Sequence, residues 1–385
     1  MISILIFILK IFLNIIYGVI KIFPVEDKVT IVSRQSNSPS NDIKMISAEI
    51  KRQSPNTSVV VLCKKIDKGV LNKIKYLGHL LRQMWHIGRS KIIITDSYSI
   101  AISCLRQRRD VKVIQIWHAL GALKKFGKSI VGNDGEGRKE YLARSLNMHQ
   151  NYTDILISSE KCRKAYAEAF GYNEDKMFIG SLPRVDCLRD DRFLNSCRER
   201  ITKEYANLGD RKERKIITYA PTFRAGKDIS KEIISLTSKI DYTKYIFVIK
   251  KHPLMNLNIK SGADISENIE AGNIILDEKF ETIEMLAISD IVICDYSAII
   301  FEAAIMDKAL IFYAFDLDDY MEKRNFYLDY ESSMPGLICK TSDELISAIE
   351  NSCFYPDKVR KFSSDYVQIR DNCTEELVSH VLKNL

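Results

Sequence analysis

Asp290 to Tyr320 reads DIVICDYSAIIFEAAIMDKALIFYAFDLDDY. Ile291 to Cys294 is a short, wholly apolar run, the mark of a strand covered on both faces. It opens through Asp295, Tyr296 and Ser297 into a helix expected over Ala298 to Met306, and a further apolar run, Ala309 to Phe312, follows at once. Strand, polar turn, helix and strand make the repeating unit of a parallel sheet, because a parallel neighbour can only be reached by a crossover. Working outward, Lys215 to Tyr219, Tyr245 to Ile249 and Asn273 to Leu276 join the same set of strands. Val29 to Ser33, Ser58 to Cys63, Lys91 to Thr95, Lys112 to Trp117 and Ile155 to Ser158 form an earlier set. The sequence thus predicts an α/β protein with two Rossmann-like halves facing a cleft, and ligands at the carboxyl ends of strands. Its boundaries are a helix over 1–23, an N-terminal domain over 24–190, a charged linker over 191–214 and a C-terminal domain over 215–385.

Composition agrees with that architecture. The chain has 385 residues, of which 46% are hydrophobic and 28% charged, with eight prolines and sixteen glycines. That excludes disordered, collagenous and low-complexity classes. Nine cysteines without a C-x-x-C pair argue against a disulfide framework and against a cysteine zinc site. The net charge of +7 fits an anionic partner without choosing among nucleotide, phosphopolymer, nucleic acid and lipid headgroup.

Met1 to Phe23, MISILIFILKIFLNIIYGVIKIF, is the most apolar stretch. Ser3, Lys10, Asn14, Tyr17 and Lys21 recur at helical spacing and form one polar stripe on an otherwise Ile, Leu and Phe surface. This predicts a helix lying in a membrane surface, with its lysines drawn to anionic headgroups. A spanning helix would bury two lysines, and a buried first helix is the third reading of the same pattern.

Four segments carry chemistry, each after a predicted strand. Gln115 to Ser129, QIWHALGALKKFGKS, fails as a P-loop: five residues separate Gly121 from Gly127, and Phe126 stands where glycine is required. What remains is His118 at a strand end, followed by a glycine loop and lysines, a place for a base beside phosphates or for a structural histidine. Thr218 to Lys227, TYAPTFRAGK, ends its strand at Pro221 and projects Thr222 and Arg224, whose planar fork suits phosphate. Ile249 to Pro253, IKKHP, supplies His252 as a phosphate donor or a strand cap. After Cys294, Ser297 can hold a phosphate at a helix start or simply cap the helix, and Glu302 can take ribose hydroxyls or face solvent. Asp316-Leu317-Asp318 looks like a metal-binding D-x-D but has no further ligand candidates, and no carboxylate cluster demands a metal.

The segments WHALGALKKFG, YAPTFR, KHP, DYSAIIFEAAIMDKALIFYAFDLDDY and NFYLDYESSMPG resemble the CDP-glycerol glycerophosphotransferases, the teichoic-acid primases and polymerases of Gram-positive bacteria. Gly180, Pro183, Arg184 and Asp186 are similar to the G-x-P-R-x-D pattern that closes the family's first half, with one extra residue after the glycine. One departure is the run Ala119, Leu120, Gly121 after His118, where many members read G-T-P-L-K. It resembles ribitol phosphate and capsule enzymes, and it bears on the polyol rather than the reaction. The resemblance implies a GT-B fold, peripheral attachment at the cytoplasmic membrane face and no cofactor. It further implies transfer of glycerol or ribitol phosphate from a CDP-polyol to a hydroxyl of an undecaprenyl-linked acceptor, releasing CMP. Carried over by motif, His118 is the base, and Thr222, Arg224, His252, Ser297 and Glu302 hold the donor. Two other classes remain: a GT-B glycosyltransferase using a nucleotide sugar, and a non-catalytic membrane or nucleic-acid-binding protein. The basic runs lack the interleaved aromatics of a nucleic-acid surface, which argues against that partner.

Overall fold

The structure is a computed structural model that describes residues 2–66, 69–132, 139–224, 227–251, 255, 257 and 263–383. The chain divides into two compact units, one of Met1–Gly121, Lys125–Asp186 and Gln368–Leu385, the other of Ala122–Lys124 and Cys187–Val367.

The first unit is built on β1 (Glu26–Ser33), β2 (Ser58–Cys63), β3 (Ser90–Thr95), β4 (Lys112–Gln115), β5 (Asp154–Ile157) and β6 (Met177–Ile179). They lie in the order β2-β1-β3-β4-β5-β6, and every pairing is parallel. The second unit holds β7 (Lys215–Tyr219), β8 (Tyr245–Lys250), β9 (Ile274–Asp277), β10 (Ile291–Cys294), β11 (Ala309–Tyr313) and β12 (Leu337–Cys339), ordered β12-β11-β10-β7-β8-β9. These pairings are parallel too. Strand order reverses between β1 and β3 in one sheet and between β7 and β10 in the other, so each unit has a topological switch point at its strand carboxyl ends.

Both faces of the second sheet are covered, as its unbroken apolar strands require. Ile217, Tyr219, Phe247, Ile293 and Ile311 pack on one face with Ile233, Leu236 and Leu345. Ile216, Ile246 and Val248 face the other way and meet Leu194, Cys197 and Ile201.

That second contact corrects the linker reading. Residues 191–204 form the helix Asp191–Glu204, whose spacing of Leu194, Cys197 and Ile201 buries one stripe while its many charges face out. The C-terminal domain also ends earlier than expected. Gln368–Leu385 joins the first unit, where Asp186 accepts from the Cys373 and Thr374 amides (2.8 and 2.9 Å) and the Thr374 hydroxyl (2.6 Å) at the start of the helix Cys373–Leu382.

The first helix, α1 (Ile2–Ile20), departs most from expectation. From Lys10 onward its polar stripe faces the protein, while Ser3 is exposed. Lys10 donates to Ser145 O and Asn147 Oδ1, Asn14 exchanges hydrogen bonds with Cys104 O and the Arg106 amide, and Tyr17 donates to Gln107 Oε1 at 2.7 Å. Lys21, just past the helix, donates to Arg106 O. Leu13, Tyr17 and Ile20 are buried, while Ile4, Phe7, Ile8, Ile11, Phe12, Ile15 and Val19 are exposed, Ile4 to 64%. Lys10 and Lys21 therefore serve as anchors to the first unit instead of reaching for headgroups. No helix among the described residues is long and apolar enough to cross a membrane.

Candidate active site

In the first unit the strand ends beside the switch point gather Ser33, Asp96, Ser97 and His118. Trp117 precedes His118 with φ +56, a conformation costly for a bulky residue. Its ring holds it there by packing on His118 (4.2 Å between centroids), Phe126 (4.8 Å) and Phe170 (5.4 Å). The turn points the imidazole back over β3, where His118 Nδ1 lies 2.9 Å from Asp96 O and 3.0 Å from the Gln35 amide. A backbone carbonyl can only accept, so the Asp96 contact places the proton on Nδ1 and leaves the Nε2 lone pair, with the Gln35 side-chain amide turned to present its oxygen to that N–H. Burial drives the His118 pKa down to about 4, the Asp96 bond opposing this and nearby Arg184 adding to it. His118 is thus neutral at pH 7.

Arg184 explains part of the G-x-P-R-x-D pattern. Its guanidinium donates to Asp42 Oδ2 (2.9 and 2.5 Å), its amide donates to Asp42 Oδ1, and Nη2 reaches the His118 carbonyl at 3.3 Å. Asp42 opens the helix Asn41–Gln53, so two elements pin the backbone that carries His118. Asp96, with its Oδ2 accepting from Ser33 Oγ at 2.8 Å, is held above the usual carboxylate range by burial. Sequence reasoning passed over Asp96 and Gln35; the acidic residue directly after an apolar strand was the available signal.

The second unit's switch point carries an ionic network. Asp295, 0% exposed, follows β10 and accepts from the Thr222 amide, the Thr222 hydroxyl (2.6 Å) and Arg224 Nη1 (2.9 Å) across the switch. Arg224 Nε and Nη2 also grip Asp316 in two-pronged fashion at 2.8 and 2.9 Å, and Nη1 reaches Thr222 O. Asp316 further accepts from Lys227 (3.0 Å) and the Tyr296 hydroxyl (3.0 Å). Burial works to raise the Asp316 pKa, but Arg224, Lys227 and Tyr296 hold it below the usual value. Arg224 stays charged: burial alone would depress it, and the two aspartates more than reverse that. Tyr296 stacks on Tyr320 (3.9 Å), and Tyr330 donates to Asp295 O.

This arrangement changes the expected roles. The Arg224 fork and the Thr222 hydroxyl are occupied by carboxylates, so neither stands open to phosphate as the sequence reading had it. Asp316, discounted as half of a D-x-D, is the partner that makes Arg224 rigid. Among the described residues no group of three or more His, Cys, Asp or Glu is gathered for a metal. Ser297 lies partly exposed one residue before the Ala298 cap, its Oγ 3.4 Å from the Ile299 amide, and the helix is Ile299–Ile305. Glu302 is 3% exposed, which removes the solvent-facing alternative. His252 lies outside the described residues. Lys124 bridges Phe326 in this unit and sits over the Tyr320 ring at 5.8 Å; burial lowers its pKa to about 7.

Two parallel six-stranded sheets, each with polar residues converging at its switch point, define the class of two-unit, Rossmann-like α/β proteins. The chain matches the family model of CDP-Glycerol:Poly(glycerophosphate) glycerophosphotransferase over residues 15–383, and it belongs to that family. It is an enzyme of that transferase type. It is similar to the teichoic acid ribitol-phosphate primase of Bacillus spizizenii, 29% identical over 94% of this chain and 92% of the relative. The teichoic acid poly(ribitol-phosphate) polymerase of the same organism is 31% identical over 94% of this chain, which spans 57% of that longer protein. The teichoic acid glycerol-phosphate primase of Bacillus subtilis is 28% identical over 80% of this chain and 77% of its own. In fold it resembles the wall teichoic acid polymerase TagF, with TM-score 0.72 at 18% identity over 99% of this chain and 96% of that one.

Proposed function

We propose that this enzyme transfers a polyol phosphate from a CDP-polyol to a hydroxyl of a lipid-linked acceptor at the cytoplasmic membrane face, releasing CMP. The observation that carries the reading is His118, a neutral imidazole with its Nδ1 proton committed to a carbonyl and Nε2 left to accept. An acceptor hydroxyl must lose its proton as it attacks the β-phosphorus, and a base so held accepts it without first having to deprotonate. The second unit takes the donor: Ser297 and the amides beside it meet the diphosphate, with His252 and Glu302 as the family's further donor contacts. Arg224, Asp295 and Asp316 keep the loops after β7, β10 and β11 in place around that site.

The polyol we assign is ribitol, because relatives matched over 94% of this chain are ribitol-phosphate enzymes by name, against 80% for the glycerol-phosphate primase, and the Ala119-Leu120-Gly121 run fits that branch. The outward apolar face of α1 is the membrane contact; its burial in the interface would remove Ile, Leu and Phe side chains from water. A donor panel tests the chemistry. CMP release from CDP-ribitol exceeding that from CDP-glycerol is expected, and turnover of a UDP-sugar instead would replace this reading with glycosyl transfer. Sedimentation with liposomes tests the attachment: full-length protein should pellet and a chain lacking residues 1–23 should not.

A further inference from the structure

At the amino ends of the second sheet, away from its switch point, the helix Asp191–Glu204 and the loops entering β7, β10 and β11 border an open cavity of about 340 Å³. Arg198, Arg211 and Lys308 line it together with Asp290, three cations against one carboxylate, and Leu208 and Ile288 supply an apolar wall. Only one cation is neutralised there: Arg211 Nη1 meets Asp290 Oδ2 at 2.5 Å, and that oxygen also takes the Ile216 amide. Lys308 donates to the Ser289 carbonyl at 2.8 Å, and Arg198 donates to the Ala287 carbonyl at 3.0 Å and to Asn195. Neither forms an ion pair among the described residues. Two carbonyl-bound cations facing one cavity repel each other, and a half-buried ammonium that shares its one nearby carboxylate, Asp290, with Arg211 is costly. Burial lowers the Lys308 pKa to about 8; Asp290 opposes this, and Arg198 and Arg211 add to it.

We infer that this cavity is a binding site for a phosphate-bearing small anion, separate from the donor site. An ammonium and a guanidinium suit phosphate oxygens. The volume falls at the lower end of the range for small-molecule sites, enough for a phosphorylated polyol or a mononucleotide with its organic part on Leu208 and Ile288. The two sources share one chemistry, the phosphoryl group. One is the nucleotide released by the reaction, the other the polyol-phosphate unit transferred.

The test reads Lys308 itself in the full-length protein, so that binding at the donor site does not intrude. At pH 8 the rate at which trinitrobenzenesulfonate modifies Lys308 is followed by peptide mass spectrometry, with pyrophosphate, CMP or glycerol 3-phosphate added. Saturable protection of at least fivefold by pyrophosphate is expected, and the better of the other two identifies the source. Arg198→Gln should raise the pyrophosphate concentration needed at least tenfold. If that variant fails to fold, Arg198→Lys, which keeps the charge and loses the fork, should raise it at least threefold. No protection of Lys308 by any of the three anions, or protection unchanged in the folded Arg198 variant, overturns the site.

Discussion

At the first switch point burial keeps a histidine neutral against the opposing pull of one backbone carbonyl; at the second an arginine is kept charged between two buried aspartates. The first arrangement leaves one nitrogen unspent, and the second spends four of five guanidinium hydrogens on protein atoms. A group meant to exchange a proton needs a free lone pair and little nearby charge, whereas a group meant to fix loops needs every bond filled. On the proposed function, the contrast is one between a reactive site and a scaffold that looks equally polar in the sequence.

Mutation can break this contrast. His118→Ala should lower CMP release by roughly a hundredfold to ten-thousandfold with donor affinity and melting nearly unchanged, because only the proton acceptor goes. A variant that melts early would make His118 a structural residue. Asp295→Ala should do the reverse. It leaves Arg224 with half its neutralisation and the Thr222 amide without an acceptor, and breaking a buried pair costs about 3–5 kcal/mol, readable as a shifted urea midpoint. Normal stability of that variant would refute the scaffold role. Arg224→Lys keeps the charge but not the fork and should cost less, about 1–3 kcal/mol.

The smallest change expected is in the pH dependence of kcat/KM. His118 gains its proton only near pH 4 in the folded enzyme, below the ordinary histidine value of about 6.5. Between the two, the unfolded chain binds the proton and the folded one does not, so stability from this group is full above about 6.5 and falls as pH drops toward 4. On the acid side, kcat/KM should hold level from pH 7 to about 5 as far as His118 governs it. An acid limb centred near 6.5 that His118→Ala abolishes would show that the ring is solvated and the contrast between the sites overstated.

Ten of the twelve strands were legible because each has at least two adjacent apolar or β-branched residues within an element of four or more. β6 and β12, three residues each, are too short for a pattern and form only because β5 and β11 offer an edge. The helix Asp191–Glu204 was hidden by its charges, although Leu194, Cys197 and Ile201 stood at helical spacing. His118 was legible from its place after β4. The Arg224 network was not: its partners lie 71 and 92 residues away in sequence, and no local pattern joins them. The stripe on α1 was visible, but spacing cannot say which side of a helix meets the body.

The return of residues 368–385 to the first unit sets an order of events during synthesis. When Asp186 leaves the ribosome, the helix it will cap is still nearly two hundred residues from being made. The second unit, apart from Ala122–Lys124 a continuous stretch, is complete once Val367 is out, whereas the first must wait for the last segment to close over α2 (Asn41–Gln53), the helix that Cys373–Leu382 packs on. The earlier half of the chain is therefore the later to finish, and the apolar side of α1 is exposed throughout that delay.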